Sequence, residues 1–151
     1  MIFSRTSQYA VQALLYLAAQ PRGKFFLSRQ IAAHLGVPSS YLAKIMQVLS
    51  AANLVRSRRG RQGGFCLHEE SRQTTMREIF LLMEGPGFVD GCVMGVGACD
   101  GDAPCPVHRD WAPIKQSILR ILSEGSLNQL AKSVRSGKCR LADLPLAHLL
   151  G

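Results

Sequence analysis

The chain has 151 residues, of which 47% are hydrophobic and 19% charged, so it can bury a core and is not a disordered or low-complexity protein. Its formal net charge is +8, and residues 1–72 carry ten Lys and Arg against two acids, whereas residues 73–151 are neutral. A polyanion is therefore expected to bind the first half, the alternative being a solvated basic face with no partner. The apolar stretch over residues 9–19 is too short to span a bilayer and lacks a cleavage site, which predicts a cytoplasmic protein.

Three helices are predicted in the first third of the chain. The first runs from about Ser7 to Ala19 and ends before a Pro-Arg-Gly segment. A short second helix begins with Ser28 as its N-cap, and the third begins with Pro38 at its first position. Two short helices joined by a tight turn that contains glycine are typical of a helix-turn-helix. The expected buried stripe of the third helix consists of Leu42, Ile45, Met46 and Leu49.

A β-hairpin is predicted directly after these helices. Residues 54–58 alternate in polarity like a strand, residues 60–64 are a glycine-rich turn, and residues 65–67 return as a second strand. The tip carries several arginines, and a hairpin of this kind after a helix-turn-helix indicates a wing.

The exposed face of the third helix and the wing tip are the predicted DNA-reading surfaces. Hydroxyls at a helix N-terminus suit phosphates or base edges, Gln pairs with adenine, Lys reaches guanine, and Arg suits a narrow minor groove. For Tyr41 the alternative is packing on the first helix, and for Ser39 it is a capping role. The predicted DNA-binding residues are Ser39, Ser40, Tyr41, Lys44, Gln47, Arg58, Arg59 and Arg61.

Beyond the wing, the pattern predicts a helix from about Thr75 to Met83, a loop over residues 90–106, a helix of roughly fifteen residues ending near Glu124, and a last short helix capped by Ser126. The predicted units are a winged domain over 1–84, a cysteine-rich loop over 85–108, a dimerisation region over 109–135 and a tail over 136–151.

Because helix-turn-helix proteins usually bind half-sites as dimers, the long helix is the candidate dimer surface, although its stripe could pack on its own domain. That stripe consists of Trp111, Ile114, Ile118, Ile121 and Leu122.

The cysteine-rich loop is the candidate metal site. Cys92, Cys99 and Cys105 are more widely spaced than the tight pairs of structural zinc sites, and the glycines between them allow backbone N–H groups to approach bridging sulfides. This arrangement favours an iron–sulfur cluster, with His108 either the fourth ligand or a structural residue. Asp90, Asp100 and Asp102 would suit a dication such as zinc better.

Taken together, these features resemble the Rrf2 family of bacterial regulators, over about residues 1–135. The resemblance rests on Tyr9-Ala10-Val11, Ser40-Tyr41-Leu42, Arg59-Gly60, Gly63-Gly64 and the three-cysteine loop. It implies a homodimer in which a cluster bound by the three cysteines controls affinity for a palindromic operator. In IscR-like members a histidine completes a [2Fe–2S] site, and His108 matches it. In NsrR-like members an aspartate donated by the partner subunit completes a [4Fe–4S] site, and Gln8 stands at that position here. IscR-like members also carry a recognition-helix glutamate where this chain has Ala43.

The sequence therefore predicts a mainly α fold with a small β-hairpin, in which a winged helix-turn-helix precedes a long dimerisation helix. The predicted function is that of a DNA-binding transcription regulator with an iron–sulfur sensor, the alternative being a zinc- or thiol-based regulator without iron. An enzyme is not expected, because the chain has no recognisable nucleotide-binding, hydrolase or metalloprotease motif. An RNA-binding module is disfavoured because the wing has no exposed aromatic residues for stacking bases.

Overall fold

A computed structural model describes residues 3–99, 104–139 and 141 of the chain. The predicted acidic residues Asp100 and Asp102, and nearly all of the predicted tail beyond Cys139, lie outside these residues. No helix in the described part is long and apolar enough to cross a membrane.

Helices dominate the fold, as predicted. In chain order they are α1 (Arg5–Ala19), α2 (Ser28–Leu35), α3 (Ser39–Ala51), α4 (Met76–Glu84), α5 (Gly87–Asp90), α6 (His108–Ser123) and α7 (Leu127–Arg135), with a 3₁₀ helix over Glu69–Gln73 between the wing and α4. The strands β1 (Val55–Arg58) and β2 (Gly64–Leu67) form one antiparallel pair in which Val55 faces Leu67 and Arg58 faces Gly64.

Helix starts differ from prediction by one or two residues. The Ser4 side chain accepts a hydrogen bond from the Ser7 backbone, so α1 begins two residues earlier than expected. Ser28 is not the N-cap of α2, because Leu27 occupies that position and its backbone N–H donates to the Gln30 side chain. Pro38 likewise lies at the cap of α3 and not at its first position. Such shifts leave the buried faces unchanged because the apolar periodicity sets them.

The core of the winged domain forms where α1 crosses the other helices. Leu14 of α1, Ile31 of α2, and Leu42, Ile45, Met46 and Leu49 of α3 are almost completely buried. Helix α7 returns to α1 and adds Leu127 and Ala131 to the same core. The last helix therefore stabilises the amino-terminal half directly, although it is distant from that half in sequence.

A backbone bridge beside the wing was not predicted. Phe26 and Phe65 exchange two hydrogen bonds, with N–O distances of 2.9 and 2.7 Å, so the segment before α2 lies against β2 as a third, single-residue strand. Gly64 makes this approach possible, because a Cβ there would lie 2.2 Å from the Phe26 carbonyl oxygen and its φ is +117°. The base of the wing is thereby attached to the start of the helix-turn-helix.

The segment that follows α4 contains a short helix and a backbone bridge that were not predicted. Helix α4 is capped by Thr75 and ends at Gly85, whose φ is +85°. The short helix α5 follows, and the backbone of Gly91 then pairs with that of Ala98. We call residues 91–107 the cysteine loop; within its described part, a bond from Cys99 N–H to the Asp90 carbonyl, 2.7 Å long, brings its two sides together.

Candidate nucleic-acid interface and cysteine site

The exposed face of α3 carries most of the residues predicted to read DNA. Ser39, Ser40, Lys44 and Gln47 are exposed, while the opposite face of the helix lies in the core. An exposed polar face on a helix fixed by an apolar core is the arrangement that the major groove accepts.

Tyr41 is directed away from this exposed face. Its hydroxyl shares a hydrogen bond with the Thr6 hydroxyl, and its ring packs edge-on against Tyr9, with the ring centroids 6.0 Å apart. These contacts match the alternative weighed for this residue, packing on the first helix. In this structure Tyr41 connects α3 to the first turn of α1.

Val48 belongs to the same exposed face and was missed by sequence reasoning. It follows Lys44 by one helical turn, and 44% of its surface is exposed. A signal was present in the sequence: Val48 is apolar but lies outside the Leu42, Ile45, Met46 and Leu49 stripe. An exposed branched apolar side chain among polar ones suits the C5-methyl group of thymine, which projects into the major groove.

The three wing arginines have different environments. Arg58 stacks on the Phe25 ring, with its guanidinium carbon 4.2 Å from the centroid, and donates to the Gln62 carbonyl at 2.5 Å. Arg58 therefore holds the turn of the wing together. Arg59 and Arg61 are exposed at the tip, and within the described part of the chain no hydrogen bond or ion pair engages them. These two side chains are the ones available to a phosphate or a minor groove.

The four predicted metal ligands form two pairs. The Sγ atoms of Cys92 and Cys105 are 3.2 Å apart, and the Sγ of Cys99 is 3.3 Å from Nδ1 of His108. His108 is the first residue of α6, and its backbone N–H donates to the Cys105 carbonyl at 2.9 Å, which fixes the end of the cysteine loop to the helix. Among the described residues, no three His, Cys, Asp or Glu side chains surround a single point.

The two thiols of the first pair differ in pKa. A hydrogen bond from the Met94 backbone N–H, with further contributions from the Cys105 thiol and the charge of Lys115, lowers the pKa of the Cys92 thiol. The shared hydrogen bond with Cys92 raises the pKa of Cys105. Within this pair the thiolate is therefore favoured at Cys92, and thiolates are the form in which cysteine binds metals.

The donor types and the distances within the two pairs are compatible with the ligation of a metal. On one tetrahedral ion two sulfur ligands lie about 3.8 Å apart, and a sulfur and an imidazole nitrogen about 3.6 Å apart, so each pair needs to open by well under 1 Å to ligate a metal. Three thiolates and one imidazole would together supply the four protein ligands that an iron–sulfur cluster of this kind requires. Such a cluster would bring reversible one-electron redox chemistry, which thiols and an imidazole do not provide.

The predicted dimer stripe on α6 is divided between two environments. Ile114 and Ile121 are 51% and 60% exposed and lie two turns apart on one face. Leu122 is buried in the core of its own chain, so its assignment to the dimer surface needs correction. Ile118 packs at the edge of that core, and the indole N–H of Trp111 is buried with no acceptor among the described residues. The apolar stripe of α6 is therefore divided: one edge packs in the core of the same chain, and the other edge is exposed and available to a partner.

Comparison with known proteins places this geometry in a family. The family model described as "Iron-dependent Transcriptional regulator", Rrf2, matches residues 3–133. A protein of Aquifex aeolicus (strain VF5), classed provisionally as an HTH-type transcriptional regulator, is 36% identical over 120 residues, which is 78% of this chain and 83% of the relative.

Two solved structures are similar over most of their length. The IscR of T. potens has a TM-score of 0.69 at 27% identity, covering 91% of this chain and 90% of the other. CymR (YrzC), the global cysteine regulator of B. subtilis, has a TM-score of 0.69 at 25% identity, covering 86% of this chain and 95% of the other. The winged fold, the resemblance inferred from the motifs and the expectation of a regulator instead of an enzyme are thus confirmed. The chain belongs to the Rrf2 family of transcriptional regulators.

Proposed function

We propose that this regulator binds duplex DNA as a homodimer, with α3 in the major groove and Arg59 and Arg61 at the adjacent backbone or minor groove. The observation that supports this most is the exposed polar face of α3 beside two exposed arginines on a wing anchored to the same core. The excess positive charge of residues 1–72 supplies the long-range attraction to phosphate.

Truncating Arg59 tests the contact with DNA. Arg59→Ala is expected to weaken binding to a selected duplex and to reduce the slope of log affinity against log salt by about one, because one phosphate contact is lost. Arg77→Ala, which removes the same charge from α4, is the matched control and is expected to leave the slope unchanged. Equal slopes for Arg59→Ala and the wild type would contradict a role for Arg59 at phosphate.

The homodimer is supported by the two exposed isoleucines of α6. Large exposed apolar side chains on one helical face are a common mark of a protein interface. Ile114→Glu with Ile121→Glu is expected to give a folded monomer in sedimentation experiments, since neither side chain lies in the core. A dimer that persists in this variant would place the interface elsewhere.

We propose further that the cysteine loop, together with the first residue of α6, binds an iron–sulfur cluster through Cys92, Cys99, Cys105 and His108, with a [2Fe–2S] form favoured by the two pairs. The similarity to an IscR structure and the iron dependence in the family description support this assignment. Anaerobic purification is expected to give a coloured protein with equal amounts of iron and sulfide.

Replacement of one ligand tests the regulatory part of this proposal. Cys92→Ala is expected to change duplex affinity by about 5- to 150-fold, the range of typical allosteric coupling. The buried Cys66 of β2 is a matched control, and Cys66→Ala is expected to keep the cluster. Unchanged affinity and site preference in Cys92→Ala would mean that the cluster is not the switch.

A regulator without iron is the second candidate. The similarity to CymR, the global cysteine regulator of B. subtilis, favours it. The close approach of the Cys92 and Cys105 sulfur atoms would suit thiol chemistry or zinc equally well. A colourless protein that contains zinc, or no metal at all, would favour this second candidate over the cluster.

A further inference from the structure

Glu84, the last residue of α4, is attached to the beginning of α1. Its Oε1 atom accepts hydrogen bonds from the backbone N–H of Ser4 at 2.8 Å and from the Ser7 hydroxyl at 2.5 Å. Ser7 is completely buried, and its hydroxyl oxygen is also 3.0 Å from that of Ser4. A carboxylate with these partners holds the first turn of α1 in one position.

Electrostatics favour the ionised form of this carboxylate. Burial by itself would raise the pKa of Glu84, but the hydrogen bonds from Ser7 and Ser4 outweigh burial and lower it. The first turn of α1 contains no acidic residue of its own, so Glu84 supplies the negative charge that a helix N-terminus favours. The Glu84 carboxylate that holds the start of α1 is therefore charged at neutral pH.

The same turn of α1 contacts the recognition helix. Thr6, which lies between the residues bound by Glu84, shares its hydrogen bond with the Tyr41 hydroxyl of α3. Tyr9, one turn further along α1, packs against the Tyr41 ring. A displacement of the start of α1 must therefore alter the contacts of Tyr41, because cores and hydrogen-bonded interfaces do not deform continuously.

On its other side, Glu84 faces the cysteine loop. It lines a cavity of about 490 Å³ together with Cys92, Gly91 and Trp111, among others. A second contact also holds the N-terminal segment against this region. The ring centroid of Phe3 lies 4.3 Å from that of Phe80 in α4 and 5.5 Å from that of Phe88 in α5. Cys92 and the start of α1 thus share one carboxylate as a neighbour.

We propose that Glu84 is a positioning residue that couples the cysteine loop to the recognition helix through Ser7, Thr6 and Tyr41. This inference rests on the DNA binding proposed above. A change of state at Cys92 alters the cavity that Glu84 lines, shifts the first turn of α1 and thereby reorients α3. By thermodynamic reciprocity, DNA bound at α3 must in turn change the surroundings of the cavity.

Trp111 gives a direct readout, because it is the only tryptophan in the chain and it lines the cavity. The full chain is titrated with a duplex that the wild-type protein has selected from a random-sequence library, and both the affinity and the Trp111 emission are recorded. In the wild type, the duplex is expected to shift this emission although it binds at α3.

The decisive variant is Glu84→Ala, compared with two controls. Glu84→Ala is expected to abolish the emission shift and to weaken duplex binding about tenfold. Glu84→Gln keeps an oxygen that accepts from Ser4 and Ser7, so it is expected to restore both. Glu124→Ala removes an exposed glutamate near the end of α6, whose ion pair within the described part of the chain is with Arg120 at 3.9 Å, and is expected to behave as the wild type. Ser7→Ala and Thr6→Val give the same test if Glu84→Ala does not fold.

The results separate the two proposals. A wild-type protein that selects no duplex overturns the proposed DNA binding and this inference with it. A wild type that binds its duplex without any change in Trp111 emission overturns the inference alone. The same conclusion follows if folded Glu84→Ala, or the two substitute variants, keep both the wild-type affinity and the wild-type emission shift.

Discussion

The winged domain and the cysteine loop hold their functional side chains by different interactions. In the winged domain, α3 is fixed by buried side chains such as Leu42, Ile45 and Leu49, and the wing is joined to Phe26 through backbone hydrogen bonds. In the described part of the cysteine loop the large apolar side chains are exposed, Met94 by 54% and Val96 by 66%. Turn-type backbone bonds and two side-chain pairs hold the loop in place.

This difference indicates that the winged domain serves recognition and the cysteine loop serves regulation. A surface built on a packed core keeps its shape without a ligand, which suits recognition of a rigid partner such as duplex DNA. A loop with few buried contacts opens at low free-energy cost, so a group bound to its side chains can decide its conformation. We therefore expect substitutions in the winged domain to change stability or DNA affinity, and substitutions in the loop to change regulation.

Outside the helical core, the largest expected effect lies at the base of the wing. Gly64→Ala places a Cβ against the Phe26 carbonyl at a positive φ, so the free energy of unfolding is expected to fall by about 3 kcal/mol. Gly60→Ala is the matched control at the wing tip, where φ is +103° and an added Cβ would meet no atom within 4 Å. The free energy of unfolding is expected to fall there by about 1 kcal/mol, from backbone strain alone. Urea denaturation of both variants measures the difference, and equal losses would show that the Phe26 contact is not required.

A smaller effect, on affinity and not on stability, is expected at Val48. Val48→Ala should weaken binding by about 1 kcal/mol at one thymine, because a methyl contact is lost. Replacing each thymine of the selected duplex by deoxyuridine removes the same methyl group, and at that position the wild type should lose affinity while Val48→Ala should not. If deoxyuridine lowers the affinity of Val48→Ala as much as that of the wild type at every position, Val48 does not contact a thymine.

The smallest effect is expected in the cysteine loop. Val96→Ser removes an exposed apolar side chain, so the free energy of unfolding without metal should change by less than about 0.5 kcal/mol. Ile31→Ala, at a completely buried position of α2, should by comparison cost about 2–5 kcal/mol. A large loss for Val96→Ser would remove the contrast between the two regions.

Sequence reasoning was most reliable where periodicity and turn chemistry coincide. The apolar stripe of α3, the hairpin of the wing, and the end of α4, predicted near Met83 and observed at Glu84, all follow from local patterns and agree with the structure. It was less reliable where one pattern serves two purposes. The stripe on α6 predicts an apolar face, but the pattern does not distinguish Leu122, which enters the core, from Ile121, which is exposed.

By itself, the sequence determined the order of the helices, the polar and apolar faces of α3, the arginine-rich wing and the chemical identity of the candidate metal ligands. Only the tertiary structure decided that Arg58 supports the wing from within, that Tyr41 binds α1, that the four ligands meet as two pairs, and that Glu84 reaches Ser4 and Ser7. The physical reason is separation along the chain. Periodicity and capping act within a few residues, whereas these contacts join segments whose approach is set by the packing of the whole core.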